Sequence, residues 1–323
     1  PGKTFLTSSN DIQFRHRENE FNDFLYQPLL QHKLSQNGPG IAVGDVNKDG
    51  LEDIFIGGPY RLPGHLMIQD SRGNFKAREF TDDYESEDQG ALFFDSEGDG
   101  DQDLYVVSGG VEFFEGHQFY QDRLYRNDGR GNFKKDAAAL PKIMQSGSCV
   151  VAGDYDLDGD LDLFIGGRSV PEKYPMAAFS YLLRNDQGRF TDVTKEVASE
   201  LQTIGMVTSA LWTDFDNDNV PDLLLAGEAM PIKVFKNTKG HFKDVTATSG
   251  LNDSDGFWNS LVGGDFDNDG DTDYVAGNLG VNGPMHASVK EPVVISYADF
   301  DNNGSIEPLI GYYEGGVSYP IPA

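Results

Sequence analysis

An all-β fold, built as a propeller of four-stranded blades, is predicted by three features of this 323-residue sequence. An acidic nine-residue pattern occurs six times, beginning at residues 45, 95, 154, 214, 265 and 299. Each copy lies between two short apolar runs bounded by glycine, which is the pattern of buried strands. A third apolar run, a turn and a phenylalanine follow four of the copies. Repeats of roughly fifty residues with four strands each are typical of propeller blades.

The first two strands of each blade flank the acidic pattern. The runs before it are GIAVG, GALFF, SCVVAG, SALWT, SLVGG and VVISYA. The runs after it are DIFIGG, DLYVVSGG, DLFIGG, DLLLAGE, DYVAGN and EPLIGYY. Short runs rich in β-branched and aromatic residues favour strands, so the acidic pattern is predicted to be the loop of a hairpin.

The last two strands of a blade are predicted from LMIQDSRGNF, LYRNDGRGNF, YLLRNDQGRF and VFKNTKGHF, which end at Phe75, Phe133, Phe190 and Phe242. An Asn/Asp/Gly turn between two such runs indicates a hairpin. The fifth and sixth loops lie closer together and lack this segment, so we expect an abbreviated blade there. Helix signals are sparse, with short turns expected within 190–203 and 242–250. Residues 1–40 are predicted to pack on or close the propeller, which comprises residues 41–323.

The acidic loops have the spacing of an oxygen cage. Positions 1, 3 and 5 carry short oxygen side chains, position 7 offers a backbone carbonyl, and position 9 carries a carboxylate. Calcium takes six to eight oxygen ligands in flexible geometry, whereas magnesium demands a strict octahedron. Position 12, where a helical calcium hand needs a bidentate glutamate, is apolar in all six copies. The sequence therefore predicts up to six calcium ions in hairpin loops.

The predicted calcium ligands occupy positions 1, 3, 5, 7 and 9 of each loop. They are Asp45, Asn47, Asp49, Leu51 and Asp53; Asp95, Glu97, Asp99, Asp101 and Asp103; Asp154, Asp156, Asp158, Asp160 and Asp162; Asp214, Asp216, Asp218, Val220 and Asp222; Asp265, Asp267, Asp269, Asp271 and Asp273; and Asp299, Asp301, Asn303, Ser305 and Glu307. The first, fourth and sixth loops depart most from the pattern, through Asn47, Asn219 and Asn303.

The charge of the chain limits the classes of partner that it is expected to bind. The formal net charge is −28, and most of the excess lies in the six loops. Such a surface repels a phosphate backbone, so nucleic acid is not an expected partner. No apolar run reaches the length of a membrane helix, about 18 residues. The chain begins at Pro1 without a signal peptide, so we expect a mature or excised piece. The single cysteine, Cys149, is predicted to be a small buried strand residue.

No known catalytic motif was found, and the chain is predicted not to be an enzyme. A Gly-x-Ser-x-Gly elbow, a His-Glu-x-x-His motif and a phosphate loop are all missing from the sequence. The histidines do not repeat with the blades; His16 and His32 are either catalytic or surface and packing residues. A glycosidase carboxylate pair outside the loops is an open alternative. Aromatic residues in two long insertions either contact a ligand or pack between blades: Phe113, Phe114, Phe119, Tyr120, Tyr174 and Phe179.

The six Asp-x-Asp-x-Asp-Gly-x-x-Asp loops and the Asn-x-x-Gly-x-Phe hairpins resemble FG-GAP/VCBS repeats. Strings such as LLQHKLSQNGPGIAVGDVNKDGLED and DYVAGNLGVN are more closely similar to bacterial VCBS-repeat proteins of the ASPIC/UnbV, cartilage acidic protein-like type. The resemblance implies a seven-bladed propeller with calcium in its loops and a last blade that is incomplete or closed by the N-terminal segment. It also implies an extracellular or outer-membrane surface location, with any lipoprotein anchor lying outside this chain.

Three functions remain open at this stage. The first is a calcium-binding module or scaffold at the bacterial cell surface, with a protein or glycan ligand and an outer-membrane transporter complex as an implied partner. The second is a polysaccharide-active hydrolase or lyase. The third is a structural subunit of an outer-membrane transporter assembly. The repeated loops favour the first, because they already account for most of the excess negative charge.

Overall fold

The computed structural model describes residues 12, 14–81, 83–282 and 285–321. The first four sheets are complete four-stranded antiparallel blades in which neighbours in sequence pair. Blade 1 contains β1 (Ile41–Gly44), β2 (Asp53–Ile56), β3 (Gly64–Gln69) and β4 (Phe75–Phe80). Blade 2 contains β5 (Asp88–Phe94), β6 (Asp103–Ser108), β7 (Arg123–Asn127) and β8 (Phe133–Lys135). Blade 3 contains β9 (Gly147–Gly153), β10 (Asp162–Gly167), β11 (Tyr181–Asp186) and β12 (Arg189–Asp192). Blade 4 contains β13 (Met206–Thr213), β14 (Asp222–Met230), β15 (Lys233–Thr238) and β16 (His241–Asp244).

Two shorter sheets follow. Blade 5 has β17 (Gly256–Gly264) and β18 (Asp273–Asn278), and the end of β14 also pairs with the start of β17. Blade 6 has β19 (Val294–Ala298), β20 (Glu307–Glu314) and β21 (Val317–Pro320). The segment between the fifth and sixth loops is thus abbreviated, as its sequence indicates. The described residues form six blades, and the count of seven stays a prediction.

The remaining regular structure is short. Two four-residue helices, α1 (Asp23–Tyr26) and α2 (Thr194–Val197), are accompanied by 3₁₀ turns at Leu34–Gln36, Gln118–Tyr120, Ser199–Thr203, Thr246–Thr248 and Gly280–Asn282. The turns after β12 and β16 lie where the sequence predicts them. Among the described residues, no helix has both the length and the apolar character to cross a membrane.

The apolar core is divided into layers between successive blades. One layer joins Phe55 and Leu66 of blade 1 to Leu104 and Tyr125 of blade 2. Similar clusters lie between blades 2 and 3, between blades 3 and 4, and between blades 4 and 5. The first strands β1, β5, β9, β13 and β17 lie next to one another in that order. Sheets stacked face to face around their first strands form the β-propeller that the sequence predicts.

Burial changes systematically across each blade. Every residue of the second strands β6 and β10 is buried, whereas the fourth strands β4 and β16 are largely exposed. A strand covered on both faces reads as a continuous apolar run, which explains the runs that follow the acidic loops. Blade 6 is thinly packed, since Ile310 is the one buried residue within β19–β21.

The described part of the N-terminal segment packs on blades 2, 3 and 4 at the end opposite their acidic loops, and its residues 26–29 also line a pocket with Ser305 and Glu307 of the sixth loop. Leu30 and Leu34 join a cluster with Val111, Tyr174 and Met206, which belong to blades 2, 3 and 4. Asp23 is fully buried and accepts hydrogen bonds from Leu34 N at 2.6 Å and Ser35 N at 2.8 Å. Residues 1–11 and 13 of the predicted 1–40 segment lie outside the described residues, and the boundary at residue 40 stays a prediction.

A buried asparagine at the end of the third strand ties each blade to the one before it. In blade 3, Asn185 Nδ2 donates to the carbonyl oxygens of Leu161 at 3.0 Å and of Ser96, in the blade 2 loop, at 2.9 Å. Its Oδ1 accepts from Gly188 N at 2.7 Å. Asn127 and Asn237 make the same set of bonds in blades 2 and 4. We call these three residues the asparagine clamps.

Replacement of a clamp should destabilise the propeller. Asn185→Ala removes a buried amide with three partners and leaves two carbonyls without their donor, which costs about 1–3 kcal/mol per unsatisfied group. The exposed Asn132, whose side chain bonds Asp128 in the turn of blade 2, is the matched control. We expect Asn185→Ala to lower the urea midpoint clearly and Asn132→Ala to leave it almost unchanged. Equal midpoints for the two variants would show that the clamp does not hold blades together.

Candidate metal centres

All six acidic loops share one backbone conformation. Each connects the first strand of a blade to the second, and the position 1 carboxylate accepts N–H groups from positions 5 and 6. In the third loop, Asp154 accepts from Asp158 N at 3.1 Å and from Gly159 N at 3.0 Å. The other five loops repeat these two bonds. The position 1 side chain therefore shapes the loop before any ligand is considered.

Two positions in each loop adopt the left-handed backbone conformation. Position 6, which is glycine in five of the six loops, has a φ of 100° at Gly159 and 65° at Asn219. Position 4 also does so, with a φ of 63° at Asn268 and 62° at Leu157. Glycine and asparagine tolerate this region best, and a leucine there is uncommon. The sequence carried this signal, because position 4 is asparagine or glycine in four of the six loops.

The position 9 carboxylate is buried in the first four loops. Asp162 is fully buried, and it accepts from Tyr155 N at 3.1 Å and from Asn185 N, in the third strand, at 2.8 Å. Asp53, Asp103 and Asp222 likewise accept an N–H from the third strand of their blades. Burial raises the pKa of Asp162 to about 7, and it also raises the pKa of Asp53 and Asp222. A nearby divalent cation would favour the ionised form.

In four loops the carboxylate oxygens converge. Within each of these groups, one oxygen of every residue lies within 4.8 Å of the others. Oxygens that bind one calcium ion at about 2.4 Å are separated by no more than about 4.8 Å. The groups are Asp154, Asp156 and Asp162; Asp214, Asp216 and Asp218; Asp265, Asp267 and Asp269; and Asp299, Asp301 and Glu307.

The remaining predicted ligands have other neighbours. At position 5, Asp49, Asp99, Asp158 and Asn303 accept the N–H of the position 7 residues Leu51, Asp101, Asp160 and Ser305. The same bond joins Val220 N to Asp218 and Asp271 N to Asp269. At position 9, Asp273 accepts from Phe266 N at 3.0 Å. In the first loop, position 3 is the amide of Asn47, which accepts from Asp49 N at 3.0 Å.

Basic side chains occupy two of the loops. In the second loop, Arg126 contacts Glu97 and also lies 3.2 Å from Asp103 Oδ2. In the fourth loop, Lys236 contacts Asp216 and lies 3.3 Å from Asp218 Oδ2. Both basic residues belong to the third strand of their blade and directly precede its asparagine clamp. The sequence patterns did not single out this position. Among the six loops, the second is therefore the poorest fit to a metal ion, because an arginine already neutralises two of its carboxylates.

The third, fifth and sixth loops fit calcium best. Their donors are carboxylate oxygens, which hard cations prefer, and no nitrogen or sulfur donor joins the three groups in the described residues. Among the described ion pairs, none joins a basic side chain to these three groups. Without a counter-ion, three clustered carboxylates repel one another, and a cation relieves that repulsion.

The candidate aromatic residues and histidines differ in their burial and contacts. Tyr120 and Tyr174 are buried, so they pack within the fold. Phe114 and Phe179 are exposed, while Phe113 stacks on His117 with ring centroids 4.5 Å apart. His16 Nε2 pairs with Glu18 at 2.5 Å. His32 Nε2 lies 3.3 Å from Glu228 Oε1, beside the axis of the propeller.

A second acid group lies outside the loops. Glu87, at the entry to β5, is 2% exposed, and its Oε2 has no hydrogen-bond partner among the described residues. Its Oε1 accepts from Gln89 Nε2 at 2.6 Å. Burial, reinforced by the neighbouring Glu112 carboxylate, raises the pKa of Glu87 far above its ordinary range. Sequence reasoning left such a pair unlocated, since Glu87 and Glu112 are far apart in the chain and belong to no motif.

Known proteins share repeats and sequence with this chain. The FG-GAP-like repeat model matches residues 95–165 and 214–276. Cartilage acidic protein 1 is 24% identical to the chain over 328 residues in Mus musculus and over 330 residues in Homo sapiens. These alignments cover 87% of this chain but 49% and 48% of the two relatives. The chain thus spans about half the length of these relatives.

Solved structures show a looser likeness. A lectin from Agrocybe aegerita, described as recognising non-reducing terminal N-acetylglucosamine, has a TM-score of 0.42 and 17% identity, covering 87% of this chain and 70% of the lectin. The Dos1 propeller has a TM-score of 0.40 and 9% identity, covering 69% and 60%. TM-scores this low carry no argument about function. The repeat model and the two relatives confirm the resemblance drawn from the sequence: the chain contains FG-GAP-like repeats and is similar to the cartilage acidic protein 1 type.

Proposed function

We propose that this propeller binds calcium in its hairpin loops and acts outside the cell as a binding module for a protein or glycan. The observation that carries the proposal is the convergence of three carboxylates in each of four loops. One acidic turn would be unremarkable, since exposed acidic groups are common. Four such groups, one in each of the third to sixth hairpin loops, are a repeated structural feature. Their carboxylate oxygens are the donors that calcium prefers.

Calcium would act on the fold as well as on the loops. The third loop shares Asp162 with the third strand, whose Asn185 reaches the loop of the preceding blade. An ion that binds only the folded state stabilises it by about 2.7 kcal/mol at a concentration of 100 times the Kd. The ion would therefore tighten contacts between blades.

The exposure of the loops supports the proposed extracellular location. The three converging carboxylates of the fifth loop are exposed, so they give up little hydration on binding but also gain little from burial. Calcium sites of extracellular modules have a Kd of about 10⁻⁴–10⁻³ M. Sites of that affinity fill only where calcium is abundant, which supports work outside the cell. The bacterial cell surface is the setting that the sequence resemblance implies.

The environment of Glu87 and Glu112 favours a binding function over a catalytic one. Glycosidases need one ionised carboxylate and one acid across a gap. Glu87 and Glu112 instead lie against each other, and burial favours the protonated form of Glu87. The simplest role of the pair is a shared proton within the fold. A polysaccharide-active enzyme remains testable through this pair.

Variants of the acidic loops should distinguish loops that bind calcium from loops that do not. Asp267→Asn removes one of three converging carboxylates in the fifth loop, whereas Glu97→Gln changes the same position of the second loop, where Arg126 already neutralises the acid. In calcium titration calorimetry we expect Asp267→Asn to lose one site and Glu97→Gln to lose none. Magnesium should not produce the same isotherm, because it retains waters and demands octahedral geometry.

The proposed metal function fails if wild type takes up no calcium. It also fails if Asp267→Asn and wild type bind the same number of ions with the same affinity.

Glu87 should make stability fall with rising pH. The unfolded chain releases this proton near pH 4.3, whereas the folded chain keeps it to a much higher pH, so stability declines above about pH 4.3 by up to 1.36 kcal/mol per pH unit. Glu87→Gln should reduce this decline between about pH 5 and pH 8. The exposed Glu79→Gln in β4 is the control and should keep the wild-type slope. Equal slopes for wild type and Glu87→Gln would contradict the protonated pair, and polysaccharide turnover abolished by Glu87→Gln would replace binding with catalysis.

A further inference from the structure

The first strands of four successive blades contain a bulge at the same point. In blade 2, Asp88 and Gly90 oppose the adjacent residues Ser108 and Val107, so Gln89 has no partner in the ladder. The pairing of blades 3, 4 and 5 skips Ser148, Thr208 and Asn259 in the same way. Every skipped residue is polar. A bulge leaves one residue unpaired and re-aims its side chain, and bulges are over-represented beside functional sites.

The four bulged side chains line one cavity. It measures about 270 Å³, and its wall is completed by Asn37 and Arg168. The bulges lie at the beginning of the first strands, whereas the calcium loops follow the end of these strands. The cavity is therefore at the opposite end of blades 2 to 5 from their acidic loops. It lies where the first strands approach one another, so one side chain from each of four blades reaches it.

The charges at the cavity are balanced. Arg168 is 7% exposed, and its Nη2 lies 2.7 Å from Glu228 Oε1, which is also buried. The same carboxylate oxygen lies 3.3 Å from His32 Nε2. No other charged side chain lines the cavity among the described residues. The charges of Arg168 and Glu228 are therefore already paired with each other, and removal of one partner of such a pair is costly.

The polar groups keep hydrogen-bonding capacity. Ser148 Oγ donates to Val207 O at 2.6 Å, and Thr208 Oγ1 donates to Trp258 O at 2.8 Å, so each hydroxyl ties its blade to the next. Both hydroxyls still have lone pairs that can accept. Gln89 Nε2 donates one hydrogen to Glu87 Oε1 at 2.6 Å, and Asn259 Nδ2 donates one to Phe257 O at 3.4 Å, so each of these amides still has a second N–H and an oxygen to offer. The amide of Asn37 likewise has donors and an acceptor. The cavity thus presents donors and acceptors from several directions without net charge.

We propose that this axial cavity binds a neutral, hydroxyl-rich group of the size of one sugar ring. A sugar hydroxyl both donates and accepts, which matches side-chain amides and hydroxyls. The volume is below the 300–1,000 Å³ or so that holds drug-sized ligands, so one ring enters and a longer chain extends outward. Anions are disfavoured by the net charge of −28, and the nearby carboxylate Glu228 is already paired. The inference rests on the proposed binding function and names its ligand class and site.

Saturation-transfer NMR on the calcium-loaded chain tests the site. The probes are the methyl glycosides of glucose, galactose, mannose and N-acetylglucosamine, with glycerol as a small polyol control. The variants are Gln89→Ala and Asn259→Ala, which remove amides from the wall. Asn252→Ala is the matched control, because this exposed asparagine bonds only Asp253 among the described contacts and lies outside the cavity. A melting temperature near that of wild type shows that each variant is folded.

We expect at least one glycoside to receive saturation, and each wall variant to weaken its binding by about tenfold or more, with Asn252→Ala unchanged. The proposal is overturned if no glycoside binds, if glycerol binds as well as the sugars, or if Gln89→Ala and Asn259→Ala bind like wild type. A calcium titration of the same sample separates the two hypotheses. If calcium binds and no sugar does, the cavity proposal fails while the calcium function stands.

Discussion

The buried carboxylate at position 9 is the constraint on which the rest of this fold depends. In blade 3, Asp162 closes the acidic loop, begins the second strand and accepts the backbone N–H of Asn185. Asn185 then reaches the loop of blade 2. A buried carboxylate needs hydrogen-bond partners, and those of Asp162 belong to two segments of chain, the acidic loop and the third strand. One aspartate therefore couples a loop, a hairpin and a neighbouring blade, and the same arrangement recurs in blades 2 and 4.

The same constraint creates an electrostatic problem that cations can solve. Each of the first four loops gathers acidic side chains beside a buried carboxylate, and burial is the main cause that raises the pKa of Asp162 to about 7. In blade 2, Arg126 of the third strand pairs with two carboxylates of the loop and neutralises them. The third, fifth and sixth loops have carboxylates that converge to within the span of one calcium ion. The basic side chains of Arg126 and Lys236 in blades 2 and 4, and the calcium proposed for other blades, would be alternative solutions to one physical need.

Much of this was predictable from the sequence, because strands and loops are encoded locally. The six loops, the flanking strands and the abbreviated segment after the fifth loop follow from patterns of nine to sixty residues. The asparagine clamps were visible only as part of a hairpin signature, since their partner lies in another blade. Arg126 and Lys236 were missed because the loop carboxylates that they contact, although in the same blade, lie far from them in the sequence. The bulges at Gln89 and Asn259 depend on strand register, which a run of apolar and polar residues does not reveal.

Native-state hydrogen exchange at the clamp residues tests the central claim most directly. Asn185 N donates to Asp162, whose loop converges on a calcium-sized centre, whereas Asn127 N donates to Asp103, which lies against Arg126. Exchange is compared in calcium and in chelator. The account predicts that chelation speeds exchange at Asn185 far more than at Asn127. Unchanged protection of Asn185 in chelator would contradict it, because the loop would then hold its blade without a cation.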